Sequence, residues 1–178
     1  PKVPEGYRID VFDVIAQAAA MGHTILVLTK RIKQMAETVG DYCEGVAKMD
    51  GVHLGVTICN QEEADEKIPI LLQIPAAHRW ISAEPLLGDL DLWKAEYPAP
   101  GGGKQGAVTS WPGGLDWVVV GCESGPNRRP CKLEWIRSIV RQCKAAGVKI
   151  FVKQIEINGK VEHEMSKFPK DLQVREKL

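Results

Sequence analysis

The sequence predicts an α/β fold: a partial, TIM-barrel-like parallel βα repeat, forming the C-terminal portion of a barrel. Three observations lead there. Five short runs are rich in Val, Ile, Leu, Phe or Trp, as strands covered on both faces should be. Helical patterns separate them, and such alternation means parallel strands joined by right-handed crossovers. Each apolar run also finishes in polar or ionisable residues, as strands do where a parallel sheet carries its chemistry.

The elements follow in order. Val11 to Met21 reads as a helix that stops at Gly22 and feeds a strand from Thr24 to Lys30. Arg31 to Met49 reads as one long helix, because Ile32, Met35, Val39, Cys43 and Val46 recur at spacings of three or four. A strand from His53 to Cys59 precedes a helix from Gln61 to Ile74, whose acidic start suits the positive end of a helix dipole. The third strand, Arg79 to Glu84, leads into an irregular insert at about 87–115. Pro98, Pro100, Gly101, Gly102, Gly103, Pro112, Gly113 and Gly114 punctuate the insert and predict a mobile surface excursion rather than a ligand cradle. Asp116 to Glu123 is the fourth strand. Leu133 to Ala146 is a helix terminated by Gly147, and Lys149 to Ile155 is the fifth strand.

Residues 1–157 therefore read as the partial barrel and 158–178 as a polar C-terminal strap. A complete eight-stranded barrel takes about 250 residues, so five strands predict part of one, and the chain opens at Pro1 rather than Met. The rival is an open doubly wound sheet. No Gly-x-Gly-x-x-Gly follows a strand and no Gly-Lys-Ser/Thr appears, so its best-known nucleotide-binding versions lose support.

Composition narrows the class further. The 178 residues are 44% hydrophobic and 26% charged, within globular averages. Lys plus Arg (23) equals Asp plus Glu (23), so no global field draws the chain to nucleic acid or membrane. No apolar run approaches the roughly 18 residues of a membrane span, and no signal peptide opens the chain. Cys43, Cys59, Cys122, Cys131 and Cys143 match neither a disulfide framework nor a zinc site. Reduced thiols and a cytoplasmic location are the expectation.

Side-chain alternation sorts the strand ends. Leu54, Val56 and Ile58 face the helices, leaving Thr57 on the other face with Cys59. Ile81 and Ala83 face outward, and Trp80, Ser82 and Glu84 inward. Val118, Val120 and Cys122 face the helices, which puts Gly121 and Glu123 inward. On the last strand both Lys153 and Gln154 have apolar neighbours on their own face, so either can point in. Glu84, Glu123 and Lys153 are thus the candidate catalytic groups, at one cavity mouth. Thr29, Lys30, Arg31, Thr57, Ser82, Ser124, Arg128 and Gln154 are the candidate ligand-binding groups.

Carboxylates and lysines at a barrel mouth also pair with one another structurally, and this too perturbs their titration. Lys30 and Arg31 open a helix, where cations are unfavourable unless an anion is bound. Arg128 and Arg129 sit in a loop beside Glu123, either binding an anion or forming a solvated turn. His23, His53 and His78 fall at strand starts, away from this rim, and His163 falls in the tail. No residues are placed as metal ligands.

At these strand ends the chain resembles a family of phage and prophage proteins of unknown function, named for phage gene products thirty-seven and sixty-eight. The resemblance is carried by Leu28 to Arg31, Leu54 to Thr57, Ile68 to Leu72, Ser82 to Gly88, Asp116 to Gly125, Phe151 to Gln154 and the tail from Phe168 to Glu176. Ser-Ala-Glu-Pro-Leu-Leu-Gly and Gly-Cys-Glu-Ser-Gly are its most specific blocks. The family more often has Gly where Cys122 stands and an aromatic residue where Ile155 stands. The resemblance implies a partial barrel. It also implies, in an intact parent, an upstream cysteine cluster similar to that of radical S-adenosylmethionine enzymes, holding an iron–sulfur cluster for S-adenosylmethionine. No three cysteines lie close together here, so no cofactor is expected on this chain itself.

The expected function is that of a phage-associated enzyme domain of radical S-adenosylmethionine type, its substrate a nucleic acid or nucleotide. One alternative is a noncatalytic barrel that binds nucleic acid or a partner protein through Lys30, Arg31, Arg128 and Arg129. A metal-dependent hydrolase using Glu84 and Glu123 is weaker, because no His is placed to help.

Overall fold

A computed structural model gives the fold and describes residues 3–98, 102–108 and 114–178. Pro1 and, in the insert, Pro100, Gly101, Pro112 and Gly113 lie outside the described residues.

Helix α1 (Glu5–Ala20) opens behind Pro4, whose fixed φ suits a helix start. It leads to β1 (Ile25–Thr29). The long helix expected over Arg31 to Met49 runs without a gap from Ile32 to Ala47, but its winding changes along the way. Helix α2 (Ile32–Thr38) widens into a π-helical segment at Val39–Cys43 before α3 (Glu44–Ala47). The wider turn changes the period at Gly40, yet Val39 and Cys43 still reach the core. Strand β2 (Val52–Ile58) is buried throughout.

Helix α4 (Gln61–Gln73) is closed at its start by two reciprocal bonds. Asn60 Oδ1 accepts from the Glu63 amide at 2.9 Å, and Glu63 Oε2 accepts from the Cys59 amide at 3.0 Å. Strand β3 (His78–Ala83) follows, then β4 (Glu96–Pro98) and β5 (Lys104–Gly106), an antiparallel pair within the insert. Strand β6 (Trp117–Gly121), helix α5 (Leu133–Ala146), β7 (Lys149–Ile157) and β8 (Lys160–Glu162) complete the order. Helix α5 ends where the Val148 amide reaches back to the Cys143 carbonyl at 2.9 Å around a left-handed Gly147.

The six-stranded sheet runs β1-β2-β3-β6-β7-β8. The first five strands are parallel, and β8 returns antiparallel on β7. This sheet curls into a half-barrel. Leu54, Val56, Ile58, Ile81, Val118, Val120 and Ile150 join residues of all five helices in one core on its outer face. The inner face carries a separate apolar group: Trp80, Trp117, Val119 and Phe151. The C-terminal segment pairs with β7, the Val152 amide donating to the Val174 carbonyl at 2.9 Å, so β1 forms the opposite edge.

Part of the insert reaches the core. Leu90, Leu92, Ala95, Ala107, Val108 and Leu115 are buried in the outer core. Gln142 on α5 ties the segment down, donating to the Leu90 carbonyl and accepting from the Leu92 amide, each at 2.7 Å. Among the described residues no helix is long and apolar enough to cross a membrane.

Candidate functional site

Register decides which side chains meet on the inner face. Gly55 pairs with Trp80 and Trp80 with Trp117, forming the lower row. Thr57 pairs with Ser82 and Ser82 with Val119, which pairs with Phe151, forming the row above. Trp80 lies across β2: a Cβ on Gly55 would stand 2.4 Å from the indole, so only glycine fits beneath the ring. The Trp80 and Trp117 rings are 5.3 Å apart, and Phe151 meets Trp117 edge-on at 6.1 Å.

These rows floor a cavity of about 520 Å³, within the range of small-molecule sites. Leu26 and Leu28 of the edge strand line it while 49% and 46% exposed, so its apolar floor is open on one side.

The rim is built at the carboxyl ends of β3, β6 and β7. The β6–β7 register shifts between Val120 and Gly121, so that Val120 pairs with Val152 but Gly121 with Gln154. That irregularity lets two consecutive residues reach the same carboxylate. Lys153 Nζ donates to both Glu84 oxygens, at 3.0 and 3.1 Å. Gln154 Nε2 donates to Glu84 Oε1 at 3.2 Å and to the Cys122 carbonyl at 2.6 Å. A Cβ on Gly121 would come within 3.3 Å of Gln154 Cγ and 3.5 Å of the Glu84 carboxyl carbon, so glycine keeps this junction open. The Glu84–Pro85 peptide is cis.

Glu123 is committed to its own loop. It accepts from the Arg129 amide at 2.7 Å, from Nε at 2.8 Å and from a terminal guanidinium nitrogen at 2.7 Å. The Arg129 side chain and amide hold its carboxyl at about 2, well below the ordinary range. Arg128 turns the other way, donating to the Gly159 carbonyl in the β7–β8 turn.

The cavity therefore gathers Lys30, Thr57, Ser82, Glu84, Glu123, Ser124 and Lys153, with Gln154 joined through Glu84. Thr29 and Arg31 are placed elsewhere. They line a second groove of about 440 Å³ among α1, α2 and β1, where Thr29 Oγ1 accepts from the Arg31 amide at 2.9 Å. Sequence reasoning did not single out Trp117, Phe151, Leu26 and Leu28. The alternation that turned Trp80 inward would have found them if applied to the first, fourth and fifth strands.

The five cysteines are free, and four of them are buried. Burial pushes Cys122 up to about 11 and both Cys131 and Cys143 up to about 12. Among the described residues no group of three or more His, Cys, Asp or Glu is arranged to hold a metal ion.

The fold and site together define an α/β half-barrel with an open apolar inner face beneath a charged rim. A family model described as a protein of unknown function, DUF5131, matches residues 1–176, and the chain belongs to that family. No curated protein and no solved structure matches it.

Proposed function

We propose that this half-barrel is the substrate-facing part of a phage-associated enzyme of radical S-adenosylmethionine type, acting on a nucleotide or nucleic acid. One observation carries the reading: Trp80, Trp117 and Phe151 line the same cavity as Glu84 and Lys153, with Gln154 bonded to Glu84. Aromatic side chains accept the faces of bases, and a carboxylate above them accepts hydrogen bonds from ring or exocyclic N–H groups. Lys153 and Gln154 hold Glu84 in position through three accepted bonds, which leaves about one acceptor site, on Oε2, for a ligand.

Three stretches that carry the resemblance to the phage family meet here: Ser82–Gly88 supplies Glu84, Phe151–Gln154 supplies Lys153 and Gln154, and Gly121–Gly125 supplies the Cys122 carbonyl that Gln154 also bonds. Among the described residues the cysteines belong to no group of three or more His, Cys, Asp or Glu arranged to hold a metal ion. An iron–sulfur cluster and S-adenosylmethionine would be held by residues of an intact parent, and no step here runs through them. What these residues do is bind, orient and exclude water from one side of the ligand.

The alternative, a noncatalytic basic surface for nucleic acid or a partner protein, draws on Lys30, Arg31, Arg128 and Arg129. Arg129 is spent on Glu123 and Arg128 on Gly159, which leaves that surface few cations.

Equilibrium dialysis of the full chain against a pool of nucleotides and short single strands tests the proposal. Leu28→Glu is the control, because Leu28 is 46% exposed at the mouth, and a thermal melt checks that the variant folds. Binding lost in Leu28→Glu is expected. Absence of binding, or binding indifferent to Leu28→Glu, overturns the reading.

A further inference from the structure

We infer that the ligand of this inner face is a mononucleotide-sized anion, a planar ring joined to one phosphate, whose phosphate is received by Lys30, Thr57 and Ser82. The inference rests on the nucleotide-or-nucleic-acid reading above and narrows it.

Three adjacent strands present these side chains in one row. Thr57 and Ser82 are register partners on β2 and β3, and Lys30 follows the Thr29–Val56 pair of β1 and β2 by one residue. All three line the cavity. Thr57 and Ser82 are each only 6% exposed as residues, and no hydrogen bond among the described residues engages either hydroxyl. Neither hydroxyl is sealed away from the cavity, which both residues line. Two free hydroxyls side by side on a cavity wall can donate to acceptor oxygens of a ligand. Neighbouring strands lie about 4.8 Å apart, so both hydroxyls can donate to oxygens of one tetrahedral group.

Charge selects an anion. The cavity is lined by four charged groups: Lys30, Glu84, Glu123 and Lys153. Lys153 is paired with Glu84, and Glu123 with Arg129. Lys30 makes no salt bridge among the described residues, so one positive charge remains. The same count argues against a strand. Successive phosphates need successive cations, and beyond Lys30 Lys153, Arg129 and Arg128 are engaged by Glu84, Glu123 and the Gly159 carbonyl, while Arg31 lines the second groove. One row below, Trp80 and Trp117 offer the apolar surface for the ring.

The test is a tryptophan-fluorescence titration of the full chain with nucleoside monophosphates, the matching nucleosides and a single strand of about ten nucleotides. Monophosphates are expected to bind at least tenfold tighter than nucleosides, with an affinity that weakens as salt is raised. Lys30→Met should bring monophosphates down to nucleoside affinity. Thr57→Val and Ser82→Ala, which keep the volume nearly unchanged, should each weaken monophosphate binding alone, with thermal melts confirming the fold. Equal affinity for nucleotide and nucleoside, or indifference to Lys30→Met, overturns the inference. Tighter binding of the single strand with a log–log salt slope of several units overturns it while sparing the broader reading. No binding by any of the three removes both.

Discussion

Glu84 and Lys153 meet at 3.0 Å above a strand that belongs to neither of them. Glu84 follows β3, Lys153 lies on β7, and β6 runs between them. The contact exists because β6 reaches the rim as Gly121, with no side chain to stand in the way, and because the β6–β7 register slips there.

Glu84→Gln should cost little stability. Lys153 is half exposed, so the pair is worth under about 1 kcal/mol, and glutamine keeps the shape and can still accept from Gln154. Denaturant melts should show a loss below about 1 kcal/mol, within the ordinary run of point mutations. A loss of several kcal/mol would make the carboxylate a structural half of an ion pair and not a ligand group.

Gly55→Ala should be the most damaging single-methyl change on the inner face. Its Cβ would fall 2.4 Å from the Trp80 ring, which is hemmed in by Trp117 and tied through Nε1 to the His53 carbonyl. Overpacking of this kind costs roughly 1–3 kcal/mol. Thermal melts and near-ultraviolet circular dichroism read the two consequences, lower stability and a displaced indole.

Acid should weaken the fold in two separate windows. His53 is 5% exposed, its Nδ1 has no partner, and it faces His78, Asp50 and Asp116. Burial first, then His78, lowers its pKa below 6.5. A lowered histidine contributes stability that is present above the unfolded value and lost as pH falls below it. Melts between pH 7.5 and 5 should decline, and His53→Gln should flatten that decline. Glu123, held at about 2, contributes stability present above the ordinary carboxylate range and lost as pH falls toward 2. Glu123→Gln should remove only this second decline.

Anaerobic iron and sulfide reconstitution should leave this chain without a stoichiometric cluster, and Cys122, Cys131 and Cys143 should react slowly with thiol reagents at neutral pH. Absorbance with iron analysis checks the first and timed labelling the second. Stoichiometric iron retained through Cys59, Cys122 and Cys131 would contradict the first, and rapid labelling at neutral pH the second.

Where one residue's neighbours in sequence determine its environment, the fold was legible. Helix α5 begins and ends where its apolar spacing and Gly147 place it. The five strands are parallel and in sequential order, because βα alternation leaves few other topologies. Features set by distant contacts were not legible. Nothing local marks the π-helical segment at Val39–Cys43. The insert's leucines have no regular period, and their burial depends on Gln142, some 50 residues away. At the rim, alternation placed Glu84 and Glu123 inward, but only the register shift explains why Lys153 and Gln154 both arrive. The commitment of Glu123 to Arg129 depends on a loop that folds back on itself, for which the sequence offered two readings.

The central claim, that the inner face receives a nucleotide, is tested most directly by the indole N–H resonances of the 15N-labelled chain. Trp80 and Trp117 floor the cavity, whereas Trp93 is an exposed side chain of the insert and Trp135 lies on α5 under Lys132. On addition of adenosine monophosphate the account predicts saturable shifts at Trp80 and Trp117, with Trp93 and Trp135 unmoved. Shifts confined to Trp93 and Trp135, or none at any concentration that keeps the protein folded, would contradict it.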